Sequence, residues 1–203
     1  MTARAVILAA EFLAVPDSHT RLWCGPQDPD PLCVQIGAVM LDLTPPFDLG
    51  QTFATHVAPT DRAGNPAMPD PFLTRLTGVT PEDVAAAPPI DQALDRLDTF
   101  ADSARIWSWG KDELWMVAVS CYIAGAAPPI PPDRFGNAAA LILKAGIPPE
   151  TLATTRSNEL APRYVPDAPP LREHDALDDA RSVALTLQHF LRTDRITAAD
   201  FTA

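Results

Sequence analysis

Lysine is nearly absent from this chain, and its positive charge is outnumbered by acidic residues. Only Lys111 and Lys144 are lysines, and lysine and arginine together number 15 against 26 aspartates and glutamates. The formal net charge is −11 and the sequence pI is about 4.6. A broad basic surface for long duplex DNA is therefore excluded. A site that holds a few nucleotides at a strand end stays compatible with this charge, because metal ions can supply positive charge locally.

Cysteine pairs and membrane segments are also missing from the sequence. The three cysteines, Cys24, Cys33 and Cys121, are an odd number and form no C-x-x-C motif, which excludes a disulfide framework and a zinc knuckle. No apolar run reaches the roughly 20 residues needed to span a bilayer, and no basic segment with a long apolar core opens the chain. We expect a cytoplasmic protein without a membrane partner. Since neither a repeat nor a linker divides it, we expect a single domain over residues 1–203.

Apolar runs bounded by proline and glycine predict the element order β-β-β-α-β-α-α. Strands are predicted over residues 5–13, 33–43, 50–57 and 105–109. Helices are predicted over residues 71–76, 89–101, 111–124, 137–145 and 175–192, with Thr80 as a further helix N-cap. A strand meander followed by alternating helices and strands predicts an α/β fold with a mixed β-sheet covered by helices.

One carboxylate interrupts the apolar first strand. Glu11 is the only charged residue between positions 5 and 13. Such a carboxylate is either paired, bound to a metal ion, or solvated at the exposed end of the strand. Residues 9 and 11 share one face of a strand, roughly 6.5–7 Å apart, so two acids there could share a metal site. Position 9, however, is Ala9.

Further polar side chains lie where predicted helices begin. Asp112 opens the helix after the fourth strand, where it either stabilises the helix start or faces a ligand at the carboxyl end of the sheet. On a helical wheel, Asp179 lies at the edge of the apolar stripe of the last helix, so its carboxylate can approach the sheet, whereas Asp178 points to solvent. His174 precedes this helix and, taken alone, fits a surface histidine.

Together these segments resemble the DEDDh group of DnaQ-like 3′→5′ exonucleases. The group's first motif, D-x-E, matches residues 9–11 except at its first position, the second matches Asp112, and the third, H-x-A-x-x-D-A, matches residues 174–180 throughout. Residues 35–39 resemble the group's second strand, and residues 72–88 its LTG(I/V)…V…AP segment. The resemblance covers roughly residues 5–192 and implies a ribonuclease-H-like fold, a mixed β-sheet flanked by helices.

The resemblance also implies a chemistry. It predicts hydrolysis of single-stranded DNA or RNA, or of short oligonucleotides, from the 3′ end with release of 5′-mononucleotides. Two divalent cations, Mg²⁺ or Mn²⁺, would serve as cofactors, and all-oxygen ligands suit both. The resemblance assigns Glu11, Asp112 and Asp179 as metal ligands and His174 as the general base.

Substrate contacts and oligomeric state follow from the same resemblance. Phe12 and Leu13 correspond to side chains that contact the terminal bases, and such contacts tolerate any base. The backbone near Thr77 corresponds to a segment that approaches the terminal nucleotide. Homodimers occur in parts of the group, and no feature of this sequence demands one.

The departure at Ala9 bears directly on activity. In the group the first aspartate contacts both metal ions, whereas alanine offers no ligand, so we expect the chain as written to lose most turnover. Ala9 is either an introduced inactivating replacement or the natural residue of a degenerate member, and the intact His174 and Asp179 favour a site built for catalysis. The alternative functions are a non-catalytic nucleic-acid-binding module and an interaction domain that uses only the fold.

Overall fold

The computed structural model describes residues 3–202, and a five-stranded mixed sheet lies at its centre. The strands are β1 (Arg4–Phe12), β2 (Cys33–Asp42), β3 (Leu49–His56), β4 (Arg105–Ser108) and β5 (Phe135–Asn137). Their order is β3-β2-β1-β4-β5, with β1 antiparallel to β2 and parallel to β4. The predicted α/β fold with a mixed sheet flanked by helices is confirmed.

Eight α-helices are described beside three short 3₁₀ segments. The helices are α1 (Pro71–Thr77), α2 (Pro81–Ala85), α3 (Ile90–Ala101), α4 (Asp112–Ala124), α5 (Ala138–Lys144), α6 (Pro149–Leu152), α7 (Leu160–Tyr164) and α8 (Ala176–Arg192). The predicted strands and helices agree with these bounds to within one residue at each end, whereas β5, α6 and α7 were not predicted. Between residues 3 and 202, no helix is long and apolar enough to cross a membrane.

The two faces of β1 belong to two different halves of the core. Ala5, Ile7 and Ala9 lie in the cluster that includes the buried residues of α8. Val6 and Leu8 lie in the cluster that includes those of α3 and α4. Because side chains alternate along a strand, the side chain of residue 11 projects to the same face as that of residue 9, towards α8.

The first residues of helix α8 pack directly against strand β2. Gly37 is paired with Ala9 in the sheet, and a Cβ at Gly37 would overlap the backbone of Ala176 and Leu177. The backbone N–H of Ala176 also donates a hydrogen bond to Oε1 of Gln35, at 3.1 Å. The first turn of α8 is therefore held close to the carboxyl-terminal half of β1.

Replacing Gly37 with alanine is expected to lower the free energy of unfolding by roughly 3 kcal/mol, because the new Cβ meets helix backbone rather than a movable side chain. Urea unfolding measures this loss. Gly50→Ala is the matched control, since a Cβ at Gly50 makes ordinary contacts with Met40, the nearest at 3.6 Å. Equal stability of the two variants would contradict the close approach of α8 to β2.

Candidate functional site

The candidate residues gather at the carboxyl ends of β1 and β4. Leu8 pairs with Ser108, the last residue of β4, so β1 continues beyond its parallel neighbour from Ala9 to Phe12. At β1 the sheet also changes from antiparallel to parallel pairing. Ligands of open α/β sheets bind outside the carboxyl ends of strands at points where the strand arrangement changes. The overhanging end of β1 is therefore the natural place for a site.

Three carboxylates from separate elements approach this overhang. Glu11 comes from β1, Glu113 from the first turn of α4 and Asp179 from the first turn of α8. Glu113 and Asp179 are each only 8% exposed. Oε2 of Glu113 and Oδ1 of Asp179 have no hydrogen-bond partner, although buried polar atoms are nearly always paired. These two oxygens are suited to a cation as their partner.

Burial and the repulsion of nearby carboxylates raise the pKa of all three carboxyl groups. Burial is the main cause of the raised pKa of Glu11, about 8, and the negative charge of Asp179 adds to it. Burial likewise raises the pKa of Glu113 to about 8, and the negative charges of Asp112 and then Asp179 add to it. The pKa of Asp179 rises to about 7, through burial and then through Asp175. A positive charge among them would reverse these shifts.

The metal-free protein is expected to lose stability as the pH rises from about 5 to about 8. A carboxyl group whose pKa rises on folding keeps a proton that the unfolded chain has released. The free energy of unfolding therefore begins to fall above the unfolded pKa, near 4, and keeps falling until the pH passes the folded pKa. A single group shifted as far as Glu11 would account for roughly 3 kcal/mol of this loss, so Glu11, Glu113 and Asp179 together predict a loss of at least about 3 kcal/mol, measured by urea unfolding in EDTA at both ends of that pH range.

Two variants separate this effect from general charge repulsion. Asp179→Asn should flatten the pH dependence, because the amide carries no charge at either pH. Asp133→Asn removes an exposed carboxylate in the 3₁₀ segment before β5 and should leave the slope unchanged. Identical slopes for these two variants would show that the buried carboxylates do not titrate as described.

The two adjacent acids that open α4 lie in different surroundings. Asp112 is exposed, whereas Glu113 is buried and influences the pKa of Glu11. Glu113 was not singled out from the sequence. A signal was present, because Glu113, Val117 and Cys121 follow one another at helical spacing and all three are buried. Adjacent helical positions differ by about 100°, so only one of two neighbouring acids can face the sheet.

His174 lies in the segment that leads into α8. It is half-buried and adopts a φ of +57°. Burial lowers its pKa, and the nearby positive charge of Arg156 lowers it further, while Glu173 opposes the shift. A lowered pKa favours the neutral imidazole, which is the form that can accept a proton.

The carboxylates do not form a complete metal-binding site. Among residues 3–202 there is no group of three or more histidine, cysteine, aspartate or glutamate side chains that could hold a metal ion together. The donors that are present are carboxylate oxygens, which Mg²⁺ and Mn²⁺ prefer. Ala9, 5% exposed, lies on the same strand face as Glu11 and offers no donor. The carboxylate oxygens are suitable ligands for a divalent cation. Because position 9 is alanine, the site lacks the first acid of the D-x-E motif.

The residues predicted to contact nucleotides lie in different environments. Phe12 is half-buried at the end of β1. Leu13 is buried in a cluster under α1 and α2, so its side chain presents no surface on which a base could stack. Thr77 is also buried, and its hydroxyl donates to the carbonyl of Leu73 at 3.0 Å. The following residue, Gly78, is exposed, and the guanidinium of Arg172 lies against it.

Comparison with known proteins identifies nucleases of the same fold. A full-length 3′-exonuclease superposes with a TM-score of 0.75 at 16% identity, over 95% of this chain and 62% of its own. The nuclease domain of 3′hExo, a DEDDh family member bound to rAMP, gives 0.74 at 16% identity, over 95% and 93%. Cell-death related nuclease 4 (CRN-4) gives 0.71 at 19% identity, over 95% and 64%.

These comparisons rest on structure alone. No protein-family model matches the sequence, and neither does any curated protein. The chain spans less than two thirds of the full-length 3′-exonuclease, but it matches almost the whole nuclease domain of 3′hExo. The shared part is the mixed five-stranded sheet with its flanking helices. This chain therefore has the fold of the DEDDh 3′-exonucleases.

Proposed function

We propose that residues 1–203 form a single metal-dependent 3′→5′ exonuclease domain, which Ala9 holds in an impaired form. The substrate would be the 3′ end of a single-stranded nucleic acid, and the products 5′-mononucleotides. The observation that carries this proposal is the group of carboxylates of Glu11, Glu113 and Asp179 at the end of β1, with two orphaned oxygens. Burying several carboxylates with strongly raised pKa values together costs free energy of folding, and such groups cluster at functional sites.

The roles of the site residues follow from their positions. Glu11 and Asp179 would hold divalent cations, Mg²⁺ or Mn²⁺, with Glu113 as the third ligand in place of the exposed Asp112. When bound, the cations would stabilise the charge that develops on the phosphodiester oxygens. His174, whose pKa is lowered by burial and by Arg156, would accept the proton of the water that attacks phosphorus as the bond to the 3′ oxygen breaks.

The substrate contacts would be few. Phe12, at the open end of β1, would stack on the terminal base, which tolerates any base type. The backbone of the turn at Thr77 and Gly78 would contact the terminal nucleotide. The rAMP bound to the nuclease domain of 3′hExo supports a nucleotide-sized site in this fold. With a net charge of −11, the domain suits short single strands and strand ends rather than duplex DNA.

The experiment that tests this function is a degradation assay on 5′-labelled single-stranded DNA and RNA with Mg²⁺ or Mn²⁺. It compares the chain as written with its Ala9→Asp variant and identifies the released products by chromatography. An exonuclease shortens the strand progressively from its 3′ end and releases 5′-mononucleotides. A non-catalytic module would bind the strand in both forms without metal-dependent hydrolysis, and an interaction domain would neither bind nor cut it.

A further inference from the structure

The side chain of Arg172 lies against the turn between α1 and α2. Gly78 ends α1 with a φ of +80°. A Cβ built on Gly78 would lie 2.8 Å from Nη1 and 2.9 Å from Cζ of Arg172. Arg172 belongs to the segment before α8, where its backbone N–H donates to Oδ2 of Asp178 at 2.9 Å. The guanidinium therefore lies between the Thr77–Gly78 turn and the segment that carries His174 and leads into α8.

The guanidinium of Arg172 is exposed and forms no ion pair with any carboxylate of residues 3–202. Arg75, Arg96 and Arg163 find no such partner either, whereas some other exposed arginines do. Arg62, for example, pairs with Asp30 at 2.6 Å. Carboxylates are abundant in a chain with a net charge of −11, so an arginine without a carboxylate partner beside an acidic site is available for a ligand.

Arg156 brings a second positive charge to the same region. The segment that follows it is anchored to α8, because Oγ of Ser182 donates to the carbonyl of Ser157 at 2.6 Å. The Arg156 guanidinium is exposed, also without a carboxylate partner in the part of the chain that the structure describes. It lies close enough to His174 to depress the pKa of the imidazole. We name Arg156 and Arg172 the arginine rim.

We propose that the arginine rim binds phosphate groups of the single strand and that Arg172 makes the main contact. This inference rests on the proposed function and adds to it the part of the substrate that is recognised. A guanidinium presents a planar fork of N–H donors that matches two phosphate oxygens. The buried carboxylates repel a polyanion, so positive charge at the edge of the site is needed to draw the strand in.

The position of Arg172 favours phosphate over base as its ligand. The Gly78 turn leaves the guanidinium lying against backbone rather than against an aromatic ring. A strand whose terminal base stacked on Phe12 would carry its phosphates along the outer edge of the site. Base stacking and phosphate binding make different predictions, because only phosphate contacts release counterions and give a salt-dependent affinity.

The test is equilibrium binding of a fluorescein-labelled oligothymidylate, followed by anisotropy over a series of salt concentrations. Ca²⁺ replaces Mg²⁺, since it also takes oxygen ligands. Arg172→Ala should weaken binding about tenfold. It should also reduce the slope of log K against log salt concentration by about 0.7, the contribution of one phosphate on a single strand. Arg172→Lys should keep that slope, and adding Arg156→Ala to Arg172→Ala should lower it further.

Arg96→Ala is the matched control, because it removes the same charge from an exposed position on α3. If Arg172→Ala binds like this control, the inference is overturned while the proposed function stands. If its affinity falls but the salt slope does not, the guanidinium contacts a base and the inference is equally overturned. If the unchanged chain binds no oligonucleotide and Ala9→Asp degrades none, the proposed function fails as well. Arg172→Ala keeps the backbone hydrogen bond to Asp178, so a thermal melt should show a folded protein.

Discussion

Ala9→Asp is expected to convert a nearly inactive chain into an exonuclease that is faster by about 10³-fold or more. Position 9 projects to the α8 side of the sheet, on the same face as Glu11 and opposite Gly37 in the register. A carboxylate there would join Glu11 and Asp179 around the cations. Metal ions contribute several kcal/mol of transition-state stabilisation, and each 1.4 kcal/mol is about tenfold in rate. Initial rates on 5′-labelled single strands with Mg²⁺ or Mn²⁺ measure the gain.

Ala10→Asp is the control for this restoration. It adds the same charge one residue further along β1, where the side chain projects to the face packed against α3 and α4. We expect no activity from it. Thermal melts with and without Mg²⁺ should accompany the rates, because a fourth carboxylate raises the repulsion in the metal-free site. If Ala9→Asp is folded in Mg²⁺ and still degrades neither DNA nor RNA, the exonuclease function is wrong.

The second large effect should distinguish the two acids that open α4. In the Ala9→Asp background, Glu113→Gln is expected to reduce the rate by about 10³-fold, because it removes a buried negative charge from the metal ligands. Asp112→Asn should change the rate by less than about threefold, in keeping with an exposed surface substitution. The same initial-rate assay, run at saturating metal, measures both variants.

Stability measurements distinguish the loss of a metal ligand from damage to the fold in Asp112→Asn and Glu113→Gln. Burial raises the pKa of Glu113, so Glu113→Gln should stabilise the metal-free protein near pH 8, even though it removes activity. The opposite rate pattern, an inactive Asp112→Asn and an active Glu113→Gln, would show that the start of α4 turns when metal binds. The assignment of Asp112 that the motif resemblance implies would then be correct.

Local patterns in the sequence were sufficient for most of the elements. Asp70 and Thr80 cap α1 and α2 through side-chain hydrogen bonds to the backbone, and Pro71 and Pro81 follow them at the first helical positions. The two-residue period of β1 placed residues 9 and 11 on one strand face, and the structure shows that Ala9 faces α8. These features depend on neighbours within one or two turns of chain, so they can be predicted without the fold.

The membership of the candidate site was harder to predict. From the wheel of α8, Asp179 could be placed at the edge of the apolar stripe, and the residue is indeed buried. In α4 the motif resemblance assigns Asp112, whereas the structure buries the neighbouring Glu113 and leaves Asp112 exposed. Leu13 was assigned to a base contact because the sequence does not show that α1 and α2 close over it.

By itself, the sequence determined the order and bounds of most helices and strands, the strand face shared by residues 9 and 11, and the excess of acidic over basic residues. Only the tertiary structure decided that β5, three residues long, completes the sheet beside β4, that Glu113 turns inward, and that Arg172 lies against Gly78. The physical reason is the range of the interactions. Caps and periodicity act between near neighbours, whereas these contacts join segments far apart in the chain, where only packing of the whole core sets the geometry.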